Sequence, residues 1–160
     1  MDLKKKENLV QLLYDLVSSL SPQEKKEVLE KLLGKTEGLP VSIFRSGISG
    51  LEAIVVYLKE TRGLTIAEIS SLLNRKKSTL YTTYRKAKEK LSGEIDSSDT
   101  SILIPYDIFA DRKFAVLESL VAFLKDEMKF SLVKISTLLD KKYSTVRTVY
   151  VRYNNKNAGK

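Results

Sequence analysis

The chain has 160 residues, 42% of them apolar and 30% charged, with three prolines and seven glycines. That is the make-up of a globular protein of long regular elements rather than of a disordered tail. It contains no cysteine and no histidine, which excludes disulfides, thiol chemistry and the usual zinc fingers. The net charge of +8 favours a polyanionic partner.

Residues 1–36 read as a helical hairpin. Leu9, Leu12, Leu13, Leu16, Val17 and Leu20 recur at helical spacing. Ser21-Pro22 restarts the helix, with Ser21 as N-cap, Pro22 at the first helical position and Glu24 at the third. Val28, Leu29, Leu32 and Leu33 continue the stripe, and Gly34 fits a C-cap. A hairpin this short cannot bury its stripe alone. It packs either on the rest of the chain or on a second copy, giving a homodimer. The opening Met1-Asp2-Leu3-Lys4-Lys5-Lys6 leads into no signal-type apolar core, and no apolar run reaches the ~18–20 residues of a membrane span. The expected location is the cytoplasm, at the nucleoid, with no membrane partner.

The rest of the chain says nearly the same thing twice. Residues Leu51–Lys90 and Leu117–Lys156 align without a gap, and about a third of the positions are identical. Each copy follows a matching stretch, Leu39-Pro40-Val41-Ser42-Ile43-Phe44 or Ile104-Pro105-Tyr106-Asp107-Ile108-Phe109. These stretches are too apolar for free loops. Each reads as an extended arm laid on its own repeat or as a short strand, and two strands could pair. The expected organisation is a hairpin at 1–36, a first helix-turn-helix module at 37–91, a polar linker at 92–103 and a second module at 104–160. The fold class is all-α.

In the first module a helix runs from about Ser49 to Glu60, with Leu51, Ile54, Val55 and Leu58 inward, and Arg62-Gly63 ends it. Thr65 caps a second helix, and Glu68 completes a capping box. Asn74-Arg75-Lys76-Lys77 makes a turn, and Ser78 is expected to cap a third helix from Thr79 to about Leu91. Leu80, Tyr84, Ala87 and Leu91 face the core, which leaves Thr79, Tyr81, Thr82, Arg85, Lys86 and Glu89 outward. Short hydrogen-bonding side chains and arginine at the start of a helix suit base edges in a major groove, and the basic turn before them suits phosphate. In the second module Ser131 caps, but Lys134 replaces the glutamate of the box. Asp140-Lys141-Lys142-Tyr143 makes the turn and Ser144 is the expected cap. Val146, Val149, Tyr150 and Tyr153 face inward there.

The run Thr65-Ile66-Ala67-Glu68-Ile69-Ser70, with Leu73-Asn74, Ser78-Thr79-Leu80 and Tyr84-Arg85-Lys86-Ala87-Lys88-Glu89-Lys90-Leu91, resembles region 4 of bacterial sigma factors and related response-regulator output domains. The resemblance covers about forty residues per copy. It implies that the third helix enters the major groove of double-stranded DNA, with Thr79, Tyr81, Thr82 and Arg85 nearest the bases. The chain departs from the family in two ways. Nothing in it resembles the sigma region that binds polymerase. Asn74 and Asp140 also stand where the turn usually has glycine, although both residues tolerate a left-handed backbone.

The expected base contacts are therefore Thr79, Tyr81, Thr82 and Arg85, and Thr145, Arg147, Thr148 and Arg152 in the second module. The expected phosphate contacts are Arg75, Lys76, Lys77, Ser78, Lys86 and Lys88, and Lys141, Lys142 and Ser144. Arg85 corresponds to Val151 and Lys88 to Asn154, so the two modules should differ in base preference and the site should be asymmetric. If the linker allows, they would meet successive grooves about one turn (~34 Å) apart. No catalytic residue, cofactor or metal is expected, and the chain reads as a transcription regulator or nucleoid-architectural protein. The alternative is a protein-interaction adaptor, with repeats and hairpin docking on a polymerase or regulator subunit. RNA stays open as a target, and Tyr81, Tyr143, Tyr150 and Tyr153 leave room for stacking on single-stranded bases.

Overall fold

The computed structural model describes residues 3–25, 28 and 38–159. Strand among these residues is confined to Leu39–Pro40 and Leu103–Ile104, so the fold is all-α. The chain divides into two units, Met1–Glu37 and Gly38–Lys160.

In the first unit α1 spans Leu3–Ser18. Its stripe of Leu9, Leu12, Leu13 and Leu16 is exposed, while Val17 and Leu20 are half-buried. Residues 22–25 are helical, and Ser21 and Glu24 make the expected reciprocal box: Ser21 N–H donates to Glu24 Oε2 at 2.8 Å and Glu24 N–H to Ser21 Oγ at 3.3 Å. Val28 is half-buried. Leu29, Leu32, Leu33 and Gly34 lie outside the described residues.

The second unit opens with β1 (Leu39–Pro40) and a 3-10 turn, Val41–Arg45. Next comes α2 (Gly50–Val56), which widens into a π turn at Tyr57–Thr61, then α3 (Ile66–Leu73) and α4 (Lys77–Lys90). The second repeat has the same order: β2 (Leu103–Ile104), a 3-10 turn at Asp107–Phe109, α5 (Val116–Ala122) with its π turn at Phe123–Glu127, α6 (Leu132–Leu138) and α7 (Tyr143–Asn157). The duplication reaches single hydrogen bonds. Each π turn is closed by an N–H reaching back five residues, Arg62 to Tyr57 O and Met128 to Phe123 O, both at 3.1 Å.

One apolar core runs through both repeats. Ile54, Leu58, Ile69, Leu73 and Leu80 of the first and Leu120, Leu124, Ile135 and Val146 of the second are fully buried. Burial of each side chain of this kind contributes about 1.5–3 kcal/mol. Thr65 caps α3 with both bonds of its box to Glu68 in place, and Ser131 caps α6 through Lys134 N–H at 3.1 Å. Lys134 has no carboxylate to return a bond, and its ammonium sits 3.6 Å from the Phe130 ring centroid instead.

Asn74 and Asp140 take the left-handed backbone expected of them, with φ of 49° and 51°. The loop after each π turn needs the same conformation. Gly63 supplies it in the first repeat at φ 69°, but Lys129 must adopt φ 59° in the second. A Cβ in that region costs roughly 1–2 kcal/mol, part of which glycine's freedom in the unfolded chain gives back. Lys129→Gly should therefore stabilise the fold by about 0.5–1 kcal/mol in urea unfolding, and Gly63→Lys should lose a similar amount.

The arms do pair. Leu39 faces Ile104 and Pro40 faces Leu103 in an antiparallel bridge, flanked by a Val41 N–H to Ile102 O bond of 3.1 Å. Phe44 and Phe109 meet at a centroid distance of 6.0 Å. Helices α2 and α5 touch where a Cβ built on Gly50 would lie 2.7 Å from Val116 Cγ1. Arg45 donates to Leu138 O at 2.7 Å, and the Asn74 side-chain amide donates to Ala110 O at 3.4 Å.

The segment expected as a surface linker is partly built into the fold. Ile95 is buried. Asp99 takes an ion pair from Arg45 at 3.0 Å, and its N–H donates at 3.3 Å to the hydroxyl of Ser42, which would otherwise be buried without a partner. Leu103, assigned to the linker by composition, is a residue of β2.

Candidate nucleic-acid interface

Helices α4 and α7 occupy equivalent places in the two repeats. Each packs its apolar side on the two helices before it, through Leu80 and Ala87 in α4 and Val146 and Val149 in α7. Their last turns are tied down by matched pairs. Lys90 donates to Glu52 Oε1 at 2.6 Å, and Lys156 to Glu118 Oε2 at 2.7 Å. Their middles are tied as well, by the hydroxyl of Tyr84 on Glu60 and that of Tyr150 on Asp126, both at 2.7 Å. The carboxylates raise the tyrosine pKa values above the ordinary 10.0, hydrogen bonding first and burial second.

Glu52 and Glu118 were not expected as anchors. Their side chains are just 6% and 7% exposed. Glu52 completes a further capping box, with Ser49. A readable signal for it was Ser49-x-x-Glu52, the same pattern as Thr65-x-x-Glu68. Ala115 has no acceptor to offer, so the second copy keeps only the bond from Ala115 N–H to Glu118 Oε2, at 2.8 Å.

The outward faces hold every candidate base-contact residue. Thr79, Tyr81, Thr82 and Arg85 are exposed on α4, and Thr145, Arg147, Thr148 and Arg152 on α7. The Arg85 side chain is 75% exposed and its only ion pair among the described residues is a long 4.0 Å contact with Glu89, so it is free to extend. Thr82 and Thr148 donate their hydroxyl protons to Ser78 O and Ser144 O, at 3.1 and 2.8 Å. That leaves each with lone pairs and a methyl group facing outward.

Among the expected phosphate contacts the structure makes distinctions. Lys76, Lys77, Lys86 and Lys142 are exposed. Ser78 and Ser144 are not caps. Helices α4 and α7 start two residues earlier than expected, the extended N-caps are Lys76 and Lys142, and neither makes a side-chain cap bond. Both serines thus sit in the first turn, exposed, and the leading N–H groups of both helices are left to an outside acceptor. Lys88 is withdrawn, held by Glu60 at 3.0 Å. Arg75 and Lys141 are half-buried and line a groove of about 410 Å³ between the repeats, beside Gly50 and Val116. Arg75 Nε is buried without a partner, and burial, then the charge of Arg112, pull its pKa down.

Two of the four tyrosines considered for base stacking are engaged: Tyr150 with Asp126, and Tyr153 against Phe114 at 4.4 Å between centroids. Tyr81 and Tyr143 are exposed. Among the described residues no His/Cys/Asp/Glu group could hold a metal, and no helix is long and apolar enough to cross a membrane. No known protein family, curated protein or solved structure matches the chain.

Proposed function

We propose that the chain binds double-stranded DNA, with its two repeats acting as tandem helix-turn-helix modules. α4 and α7 each enter a major groove, and the exposed lysines before them hold the flanking phosphates. One observation carries this reading. At equivalent positions both repeats pair an uncapped helix start, preceded by exposed lysine, with an outward row of threonine and arginine. Uncapped N–H groups and lysine attract phosphate, while threonine and arginine discriminate base edges. The work that follows is transcription regulation or DNA architecture, at the nucleoid.

Arg85→Ala and Arg147→Ala test it. Each should cost about 1–3 kcal/mol on a preferred duplex and broaden the sequences accepted, as read by fluorescence anisotropy on matched and mismatched duplexes. Unchanged selectivity in both variants would show that these faces do not read bases. Competition with RNA of the same sequence decides between the two polymers.

The exposed leucines of α1 favour a second reading, a protein-docking role for the hairpin. Association with a polymerase or regulator subunit that withstands high salt, without binding to duplex DNA, would select it over the first.

A further inference from the structure

Three of the contacts between the two repeats join residues that are each other's counterparts. Leu39 pairs with Ile104, its equivalent in the second arm, and the bridge is antiparallel. Phe44 meets Phe109, also its equivalent. Gly50 meets Val116, equivalent positions that begin α2 and α5. Two further side-chain bonds come as a reciprocal pair. Arg45, at the end of the first arm, reaches the end of α6, and Ala110, at the end of the second arm, receives Asn74 from the end of α3. Head-to-tail stacking brings one face of a unit against a different face of the next. Self-equivalent and reciprocal contacts arise only when the units are related by a two-fold axis, as in an isologous dimer. This chain therefore contains a dimer-like pair within one polypeptide, with its axis running past Leu39–Ile104 and Gly50–Val116.

We infer that the two DNA half-sites are inverted with respect to each other, forming an imperfect inverted repeat rather than a direct one. The inference rests on the DNA-binding role proposed above and adds the polarity of the site. A protein two-fold axis that engages both grooves of one duplex must lie along a two-fold axis of the duplex, and the bases read by equivalent side chains then run in opposite directions. The imperfection is placed by the residues. Thr79 and Thr82 have Thr145 and Thr148 as counterparts, so the bases under these are shared. Tyr81 faces its half-site where Arg147 faces the other, and Arg85 where Val151 does; the halves differ there. Divergence of the two recognition faces thus breaks base symmetry without changing polarity.

The test is selection from a random duplex DNA library at about 150 mM salt, run in parallel on the natural chain and on Tyr81→Arg/Arg85→Val. Both positions are exposed on α4, so the double variant should keep the natural melting temperature, which is measured alongside. The expected motif for the natural chain has two inverted halves that agree at some positions and differ at others. In the variant the differing positions should converge, leaving a near-perfect palindrome. Enrichment of a direct repeat, or of a single half-site in both proteins, overturns the inverted arrangement while leaving DNA binding intact. Retention of no duplex by either protein overturns the DNA-binding role and this inference with it.

Discussion

Lys76→Ala, Lys77→Ala and Lys142→Ala combined in one chain should weaken binding to every duplex, matched or not, and flatten its salt dependence. All three lysines are exposed at the uncapped starts of α4 and α7, where in the proposed complex an ammonium would meet phosphate without reaching a base. Each lost phosphate contact lowers the slope of log K against log salt by about 0.9, so the triple variant should lose roughly 2.7. Lys88→Ala is the matched control. Its ammonium is already committed to Glu60, so the slope should barely move although the formal charge change is the same as at any one of the three. Equal flattening per residue in the control and the triple variant would mean that net charge, not placement, governs binding.

The second large effect concerns stability. Glu52→Ala removes a carboxylate that caps α2 through Ser49 and holds the last turn of α4 through Lys90. A lost cap costs about 1 kcal/mol, and a charge-assisted hydrogen bond about 1.5–3 kcal/mol. Lys90 is half-exposed, with 54% of its side chain accessible, so the freed ammonium returns to water. The loss should then stay near 2–3 kcal/mol rather than the 3–5 kcal/mol of a fully buried broken pair. Glu52→Gln, which still accepts the Ser49 N–H, should lose less.

The same anchors set the acid limit. Burial pushes the Glu52 carboxyl up, but Lys90 and the N–H and hydroxyl of Ser49 outweigh it and hold the pKa below the ordinary 4.5. Glu118 is held low in the same way, by Lys156 and Ala115 N–H against burial. A carboxyl with a depressed folded pKa contributes stability that is present above its unfolded value and lost as the pH falls through the folded one. The fold should therefore weaken below about pH 4.5, and the Glu52→Ala/Glu118→Ala chain should weaken less steeply there. Chemical unfolding at pH 7 and in steps below pH 4.5 measures both effects.

What the sequence made legible was local or repeated. Thr65-x-x-Glu68 announces a capping box, Asn74 and Asp140 a left-handed turn, and the alternation of Leu80 and Ala87 with Thr79 and Thr82 separates the two faces of α4. What escaped depends on neighbours distant in sequence. Arg75 reads like Lys76 and Lys77 in a string of letters, yet only Arg75 lies in the groove formed when α2 meets α5. Lys88 looks as free as Lys86 until Glu60 is seen beside it. Ser78 and Ser144 have the chemistry of caps, but each helix extends two residues further back, and lysine takes the capping position. The pairing of the arms was one of two readings because an apolar stretch with one proline suits a strand or a packed arm equally well. Only the partner decides.

The most direct measurement is residue-resolved amide chemical-shift mapping of the full chain titrated with a duplex carrying the selected sequence. DNA binding through α4 and α7 predicts shifts concentrated in residues 76–86 and 142–152, equivalent in the two repeats, with α1 undisturbed. Shifts confined to α1, to the backs of α2 and α5, or to one repeat alone would contradict it.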